Sequence, residues 1–566
     1  MKKTLSLLLI TALSNVCISQ TAIPDSNFEQ ALINLGYDTG IPDGSVPTSN
    51  INTITSLDVS NLMISDLTGI QDFTALTYLD CFANQLTSLD VTQNTALTSL
   101  GCYQNQLTLL DVTQNTALTY LGCSNNQLTS LDVTQNTALT SLGCSNNQLT
   151  LLDVTQNTAL ISLGCYQNQL TLLDFTQNTA LTSLICYNNQ LTNLNVTQST
   201  ALTNLQCFTN QLTSLVVTQN TALTNLGCGA NQLTSLDVTQ NTALTYLQCY
   251  DNQLTSLDVS QHTALTNLGC SANQLTSLDV TQNTALTWLE VRYNQLPSLD
   301  VTQNTALTFL TCVGNQLTSL DVTQNTALTE LRCAQNPLTS INVTQNTALT
   351  SLACYQNQLT LLDISQNTAL TNLECSSNQL TSLDVSQHTA LTYLQCYNNQ
   401  LTRLDFTLNT ALTDLECHNN ALSCLDIRNN NNSNFTIFSS INNPNLSCIE
   451  VDDVTWATTN WISSVDAGVS FSTNCGPCTV GINDLEQNFS TLKCYPNPTT
   501  GNISIDVPGV KKNTSIAVYD MLGKVIINQQ LNSKQTIINL EAYGKGIYFV
   551  KITNGDNTIT QRIVKQ

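Results

Sequence analysis

The residues of this chain that could do chemistry mostly recur. Cysteine stands at Cys81, Cys102, Cys123, Cys144, Cys165 and so on to Cys417, every 21 residues, and only Val291 breaks the column. Thirteen aspartates between Asp90 and Asp405 keep the same interval, interrupted by Asn195, Val216 and Asn342. A third set does not repeat: Tyr246, Gln248, Tyr250, Asp251, Trp288, Glu290, Arg292, Tyr293, Phe309, Glu330 and Arg332 crowd into a few successive units. Thiols can bind soft metals or pair as disulfides, carboxylate ladders can gather Ca²⁺, and exposed aromatics beside arginine are the usual anchors of a binding surface. Catalysis has little to work with. The three histidines, His262, His388 and His418, are scattered, and there is no H-E-x-x-H, no glycine-rich phosphate loop and no G-x-S-x-G. The aspartates lie along one surface with no cleft to set two carboxylates apart. The reading is a non-enzymatic protein without a cofactor.

The element that must position these residues is the repeat itself, typified by Leu118–Ala138, LTYLGCSNNQLTSLDVTQNTA. Its 17 copies form a solenoid, because a unit this short buries its apolar side only against its neighbours. Leu121, Gly122 and Cys123 alternate in, out, in, as a short strand. Asn126 turns the chain inward, and its amide is suited to satisfy backbone groups of adjacent coils. The second half repeats the scheme with Leu128, Leu131, Val133 and Asn136. Leu118, Leu121, Cys123, Asn126 and Leu128 spell L-x-x-L-x-C-x-x-N-x-L, which resembles the leucine-rich repeat consensus with cysteine at the third apolar site. The nested ten- and eleven-residue halves resemble the bacterial leucine-rich class in which both faces of the coil are extended and helix is scarce. The fold class expected is mainly β: a leucine-rich repeat solenoid of short parallel strands, roughly 80 Å long at about 4.8 Å per strand.

In such an in-register ladder, neighbouring Cβ atoms stand wider apart than a disulfide allows, so the column is expected to hold buried free thiols. Val291 shows that an aliphatic side chain serves there, and no second ligand type joins the column to hold a metal. The later cysteines differ. Cys424 and Cys448 flank an Asn-rich stretch, Cys475 and Cys478 follow Trp456 and Trp461, and Cys448–Cys475 is the expected bridge of a C-terminal cap. His262 and His388 replace the Asn of the second bend and are expected to hydrogen-bond there, while His418 lies alone on the other face.

Comparing the repeats with one another separates two faces. LTSLDVTQNTA is nearly frozen. The outward positions of the first half change from coil to coil, and in leucine-rich repeat proteins the face carrying L-x-x-L-x-L is the usual ligand surface. Recognition or adhesion is therefore expected on the variable face, richest at Tyr246, Gln248, Tyr250, Trp288, Glu290, Arg292, Tyr293, Phe309, Glu330 and Arg332, with a protein or a glycan as ligand; stacked aromatics also suit sugar rings. The alternative is a structural or lattice-binding rod, ice or crystalline polysaccharide, using the regular Asp-x-Thr face around residues such as Asp132 and Thr134. Calcium lacks the second carboxylate that a six-to-eight-oxygen site needs.

Only 9% of residues are charged, and the formal net charge is −23. No lysine occurs between Lys3 and Lys493, whereas eight Lys/Arg face four Asp/Glu from Cys494 onward. An acidic rod argues against nucleic acid and anionic membranes. Lys2 and Lys3 followed by the apolar run Leu5–Leu13 read as a secretory signal peptide over residues 1–19, too short to span a membrane. Residues 20–75 read as an N-terminal cap with a helix starting at Asp25 and presenting Phe28, Ala31, Leu32 and Leu35. The solenoid runs over 76–423, a C-terminal cap over 424–478 and a linker over 479–493.

Residues 494–566 change character, with six candidate strands between Asn502 and Lys565 that suggest a small β-sandwich. Tyr495-Pro496-Asn497-Pro498 with Gly501, Val518–Lys524 including Gly523, Gly546-Ile547-Tyr548-Phe549-Val550 and the closing Ile563-Val564-Lys565 resemble the type A sorting domain of the type IX secretion system. The resemblance implies the secretion machinery as partner and a secreted or outer-membrane surface location.

Overall fold

A computed structural model describes residues 19–476, 493–495, 497–506, 514–520, 524–530, 535–554 and 557–566. The signal-peptide reading over 1–18, the linker over 479–492, Cys478, Pro496 and Gly523 lie outside the described residues.

Each coil contributes one three-residue strand. Tyr120–Gly122 pairs in parallel with Ser141–Gly143, Leu121 opposite Leu142. The pattern continues strand by strand from Ser56–Asp58 to Ile437–Ser439 in one parallel sheet. Leu118, Leu121, Cys123, Leu128 and Val133 are fully buried and Leu131 nearly so. One apolar column per position therefore runs through the rod, and hydrophobic burial between coils is the main force holding them together.

The bends are built from asparagine amides, as expected. Asn126 Nδ2 donates to Cys102 O at 3.0 Å and Cys123 O at 3.1 Å, and its Oδ1 accepts from Leu107 N at 2.9 Å. Asn136 Nδ2 donates to Val112 O at 2.9 Å and Asn115 O at 2.8 Å. His262 and His388 stand in for that second asparagine, each ring Nε2 lying 3.0–3.1 Å from the equivalent carbonyl, Val238 O and Ile364 O. The residue before the first asparagine is left-handed in every coil, for example Asn125 at φ 56° and Tyr293 at φ 51°. That conformation is uncommon for residues other than glycine.

The second half of the unit differs from expectation. Although Val133 points inward, this half forms no continuous sheet; isolated bridges join Asp90 to Asp111 and Asp321 to Asn342. What recurs here is a local side-chain turn: Asp132 Oδ1 accepts from Thr134 N at 2.9 Å and from Thr134 Oγ1 at 2.7 Å. The turn is compatible with a ladder, since Asp405 accepts from Thr407 N and Asp426 from Arg428 N in strands that do pair.

Helix Ser26–Asn34 starts at Asp25, whose carboxylate accepts from Asn27 N and Phe28 N. Phe28, Ala31 and Leu32 are buried against the first coils. Leu35 is the helix C-cap and 47% exposed, so it is not part of that apolar face. At the other end, Arg403–Asp405, Cys424–Asp426, Cys448–Glu450 and Ser470–Ser472 form a four-stranded parallel sheet. Arg428 bridges Asp426 and Glu450 there. Helix Val454–Trp461 packs Trp461 against Phe435 and Phe438. Cys448 and Cys475 are disulfide-bonded, Cys424 is also bonded in a disulfide, and 16 cysteines of the column are free and buried.

The C-terminal region contains the antiparallel sets Lys493–Tyr495, Asn502–Asp506, Gln535–Asn539 and Val525–Gln530, Ser515–Tyr519, Gly546–Asn554, Asn557–Lys565. Ile503, Ile505, Val518, Ile538, Val550, Ile552 and Ile563 are buried in their core.

Candidate functional site on the variable face

The sheet brings the non-repeating residues together by register. Tyr246, Asn267, Trp288, Phe309 and Glu330 occupy one row across five strands, and Gln248, Gly269, Glu290, Thr311 and Arg332 the next. Trp288 and Phe309 stack with ring centroids 3.6 Å apart. Arg292 pairs with Glu290 and Arg332 with Glu330. These pairs are partly exposed and contribute little to stability, but they fix the arginines' direction.

The rows also contain seats. A Cβ on Gly229 would meet the Tyr250 ring at 2.7 Å, and one on Gly314 would meet the Tyr293 ring at 2.5 Å. Tyr250 therefore lies over the coil before its own and Tyr293 over the coil after. Gln248 lies over Gly269 in the same way, its amide filling the space of the missing side chain. Between the two tyrosines the chain carries only Ser271 and Ala272, and an open depression of about 380 Å³ results, walled by Tyr250, Asp251, Arg292 and Tyr293. Ser271 Oγ accepts from Arg292 N at 2.9 Å. Burial, and then the Asp251 charge beside it, hold the Tyr250 hydroxyl above its ordinary pKa.

Sequence reading picked out the walls but not the floor. Gly269, Ser271 and Ala272 carry no chemistry of their own, and the two glycine seats, the only glycines in their columns, were the available signal. A second feature is a run of stacked rings, Tyr166–Tyr187 at 4.5 Å and Tyr187–Phe208 at 4.3 Å, nearly parallel. Tyr187, with a ring on each side, has both faces covered. His418 is not alone: it stacks on Tyr397 at 4.5 Å, and burial lowers its pKa.

On the frozen face the threonine hydroxyls donate to the aspartates, and that bond with the Thr134 N–H holds Asp132 below the ordinary carboxylate range. In the cysteine column, burial pushes Cys123 up to about 12, which keeps the thiol protonated and unreactive.

The sorting-motif residues form a latch on the last strand. Asn497 Nδ2 donates to Arg562 O at 2.7 Å, and its Oδ1 accepts from Val564 N at 2.9 Å. Lys565, buried, donates through Nζ to Leu540 O at 2.8 Å, to Glu541 O at 3.2 Å and to Tyr543 O. Tyr548 is buried with its hydroxyl on Gly544 O at 2.6 Å. Gly501 leaves room for the Glu541 side chain, and Lys524 N donates to Asp520. Tyr495 is exposed, its hydroxyl accepting from Gln535 Nε2.

With this geometry in hand, residues 493–566 match the family model of the secretion system C-terminal sorting domain. Those residues are a sorting domain. It directs type IX secretion, to the cell surface or the medium. The rod is a leucine-rich repeat solenoid, similar to the functional domain of InlJ from Listeria monocytogenes, which includes a cysteine ladder. That likeness has a TM-score of 0.54 at 29% identity and covers 97% of this chain and 99% of the other. A leucine-rich repeat protein of Leptospira interrogans gives a TM-score of 0.53 at 29% identity over 59% of this chain and 93% of its own. Among curated proteins, Internalin J of Listeria monocytogenes is 44% identical over 71 residues, 12% of this chain and 8% of that protein. Beta-agarase A of Zobellia galactanivorans is 34% identical over 75 residues, 13% of this chain and 14% of that enzyme. The chain thus spans a small part of the length of these curated relatives. No helix among the described residues is long and apolar enough to cross a membrane.

Proposed function

We propose that the rod is a non-catalytic recognition or adhesion protein, presented outside the cell, which binds a protein or glycan ligand through its variable face. One observation carries the reading: the two faces of the rod use their polar groups differently. On the frozen face the Asp-x-Thr pairs bond to each other and complete the coil's own backbone. On the variable face Tyr250, Trp288, Tyr293 and Arg332 vary from coil to coil and reach solvent, and Tyr250 and Tyr293 frame a depression. Aromatic residues and arginine are the side chains that carry most binding energy at interfaces.

The test is binding of the purified protein to an array of polysaccharides, matrix proteins and whole cells, beside a variant in which Trp288, Arg292, Tyr293 and Arg332 are alanine. Loss of binding in the variant is expected. Unchanged binding would move recognition to the Asp-x-Thr face, where enlarging Thr134 and Thr155 should then abolish it.

A further inference from the structure

We propose that Glu374, with Tyr355, Tyr393 and Tyr397 about it, is the seat for an arginine side chain of a partner protein. The inference rests on the reading that the variable face binds, and it narrows the ligand to a protein.

Between Lys3 and Lys493 the only basic residues besides histidine are Arg292, Arg332, Arg403 and Arg428. Each lies two residues from a carboxylate and pairs with it: Glu290, Glu330, Asp405 and Asp426 in turn. Glu374 stands in the row of Glu290, four coils on, and the place that Arg292 fills beside Glu290 is taken here by Ser376. The neighbouring strands supply no donor either. Ala353, opposite on one side, has no polar side chain, and Gln395, opposite on the other, gives its amide to Glu416 at 2.7 Å. Asp414, on the same end of the face, accepts from Thr413 and Thr436. Among the described residues the half-buried Glu374 carboxylate thus has no hydrogen bond and no ion pair. Burial raises its pKa, against the pull of Arg332 and with the push of Glu330. A carboxylate already partly stripped of water and left unpaired gains more from an incoming cation than a solvated one does.

The tyrosines select the kind of cation. Burial, and then the Glu374 charge, hold Tyr355 and Tyr393 above their ordinary pKa, so both phenols lie within the field of that carboxylate. Tyr397 stands in the coil after Ser376, backed by the His418 ring at 4.5 Å. One free carboxylate among rings does not make the six to eight oxygens of a calcium site. An ammonium is compact and strongly hydrated. A guanidinium is planar, sheds water more readily, bonds a carboxylate with two parallel N–H groups and lies against aromatic rings. The rod's own pairs, Arg292 with Glu290 and Arg332 with Glu330, show the same preference. The guanidinium is a protein's group, carried by arginine, and common sugars have none. Ser376 is 1% exposed, so the guest meets the carboxylate and the outer rims of the rings, not the floor beneath them. The net negative rod draws a basic segment toward this end of the face.

The experiment titrates the purified protein by calorimetry with a synthetic arginine–glycine repeat peptide, and with the same peptide carrying lysine or the neutral isostere citrulline. Glu374→Gln keeps the side chain's shape and removes its charge. Ser376→Arg gives Glu374 a guanidinium of its own, as Arg292 gives Glu290; the fold should tolerate it, because Tyr187 already sits between Tyr166 and Phe208 at that position. Asp279→Asn removes the same charge from the other face, in a column where Asn195 and Asn342 occur. The expected result is binding of the arginine peptide by the parent, weaker binding of the lysine peptide and none of the citrulline peptide. Affinity should fall about tenfold or more in Glu374→Gln and in Ser376→Arg, and stay level in Asp279→Asn. Binding that survives Glu374→Gln, or falls equally in Asp279→Asn, overturns the seat and leaves diffuse attraction to an acidic rod. A lysine peptide that binds as tightly as the arginine one overturns the choice of guanidinium. A parent that does not bind the arginine peptide overturns the proposal outright; if that protein still binds a glycan, a matrix protein or cells, and the four-alanine variant does not, recognition by the variable face stands without the seat.

Discussion

Asn147 ties its own coil to the one before. Its amide donates to Cys123 O and Cys144 O, both at 3.1 Å, and accepts from Leu128 N at 2.9 Å. Asn147→Ala leaves the Leu128 N–H buried without a partner, while Cys123 O and Cys144 O keep the amides of Asn126 and Asn168, so a loss of about 1–3 kcal/mol is expected in denaturant unfolding. A loss under about 1 kcal/mol would mean that water reaches the bend. The aspartates make a second prediction at this scale. In ten of them, from Asp90 to Asp384, hydrogen bonds from the Thr or Ser two residues on hold the folded pKa down. A group lowered on folding contributes its stability above its unfolded pKa, about 3.9, and loses it as pH falls through the lower folded value. Thermal melts should therefore be level from neutrality to about pH 5 and fall steeply below about pH 4. A melting temperature that rises on acidification would show that mutual repulsion along the column outweighs these bonds. The pairing was legible in the letters, since Asp and Thr two apart is a known turn signal. The sequence reading took both as outward residues because Val133 between them points inward, and alternation alone does not tell a strand from a side-chain turn.

At the scale of elements, the strands were readable because the period is strict: Tyr120–Gly122 lies where the in, out, in alternation puts it, and the later strands Ser515–Tyr519 and Gly546–Asn554 fall in the stretch from Asn502 to Lys565 where short strands were expected. The depression was not readable. It arises from two tyrosines leaning on glycines in neighbouring coils, and side-chain direction between coils leaves no mark on the pattern within a coil. The C-terminal cap offers a test of its own. The Cys448–Cys475 bridge closes a loop with a sequence separation of 27, a constraint worth about 3–4 kcal/mol in the chain-entropy account. Reduction should loosen helix Val454–Trp461 first, seen as a change in tryptophan fluorescence before the far-ultraviolet signal of the coils moves. In the sorting domain, Lys565→Ala removes the ammonium from Leu540 O, Glu541 O and Tyr543 O, of which Leu540 O keeps the Tyr543 N–H, and should impair export, while deletion of residues 494–566 should hold the rod in the periplasm. Normal export of the truncated protein would show that another segment carries the address.

At the scale of the whole molecule, each coil touches only its neighbours, so stability is a sum of coil terms and contacts between adjacent coils. Fluctuations should begin at the ends, which the helix at Ser26–Asn34 and the aromatic cluster around Trp461 cover. Identical packing rows also explain why composition alone was a good guide here. A 21-residue unit repeated 17 times makes one packing solution serve throughout, and the departures from it stand out.

Every strand from Tyr78–Asp80 to Tyr393–Gln395 is separated from the next along the sheet by the same number of residues. Whole units can therefore be lost or gained without shifting any pairing. Removal of residues 139–159 joins Ala138 to Leu160 in register, and the shortened chain should keep its circular dichroism spectrum and melt within a few degrees of the parent. Such a change moves the surface at Ser271 one step, about 4.8 Å, closer to the N-terminal helix and leaves its chemistry alone. On the proposed reading the rod is also a gauge: how far its variable face holds a ligand from either end is set by arithmetic in whole coils, independently of what that ligand is.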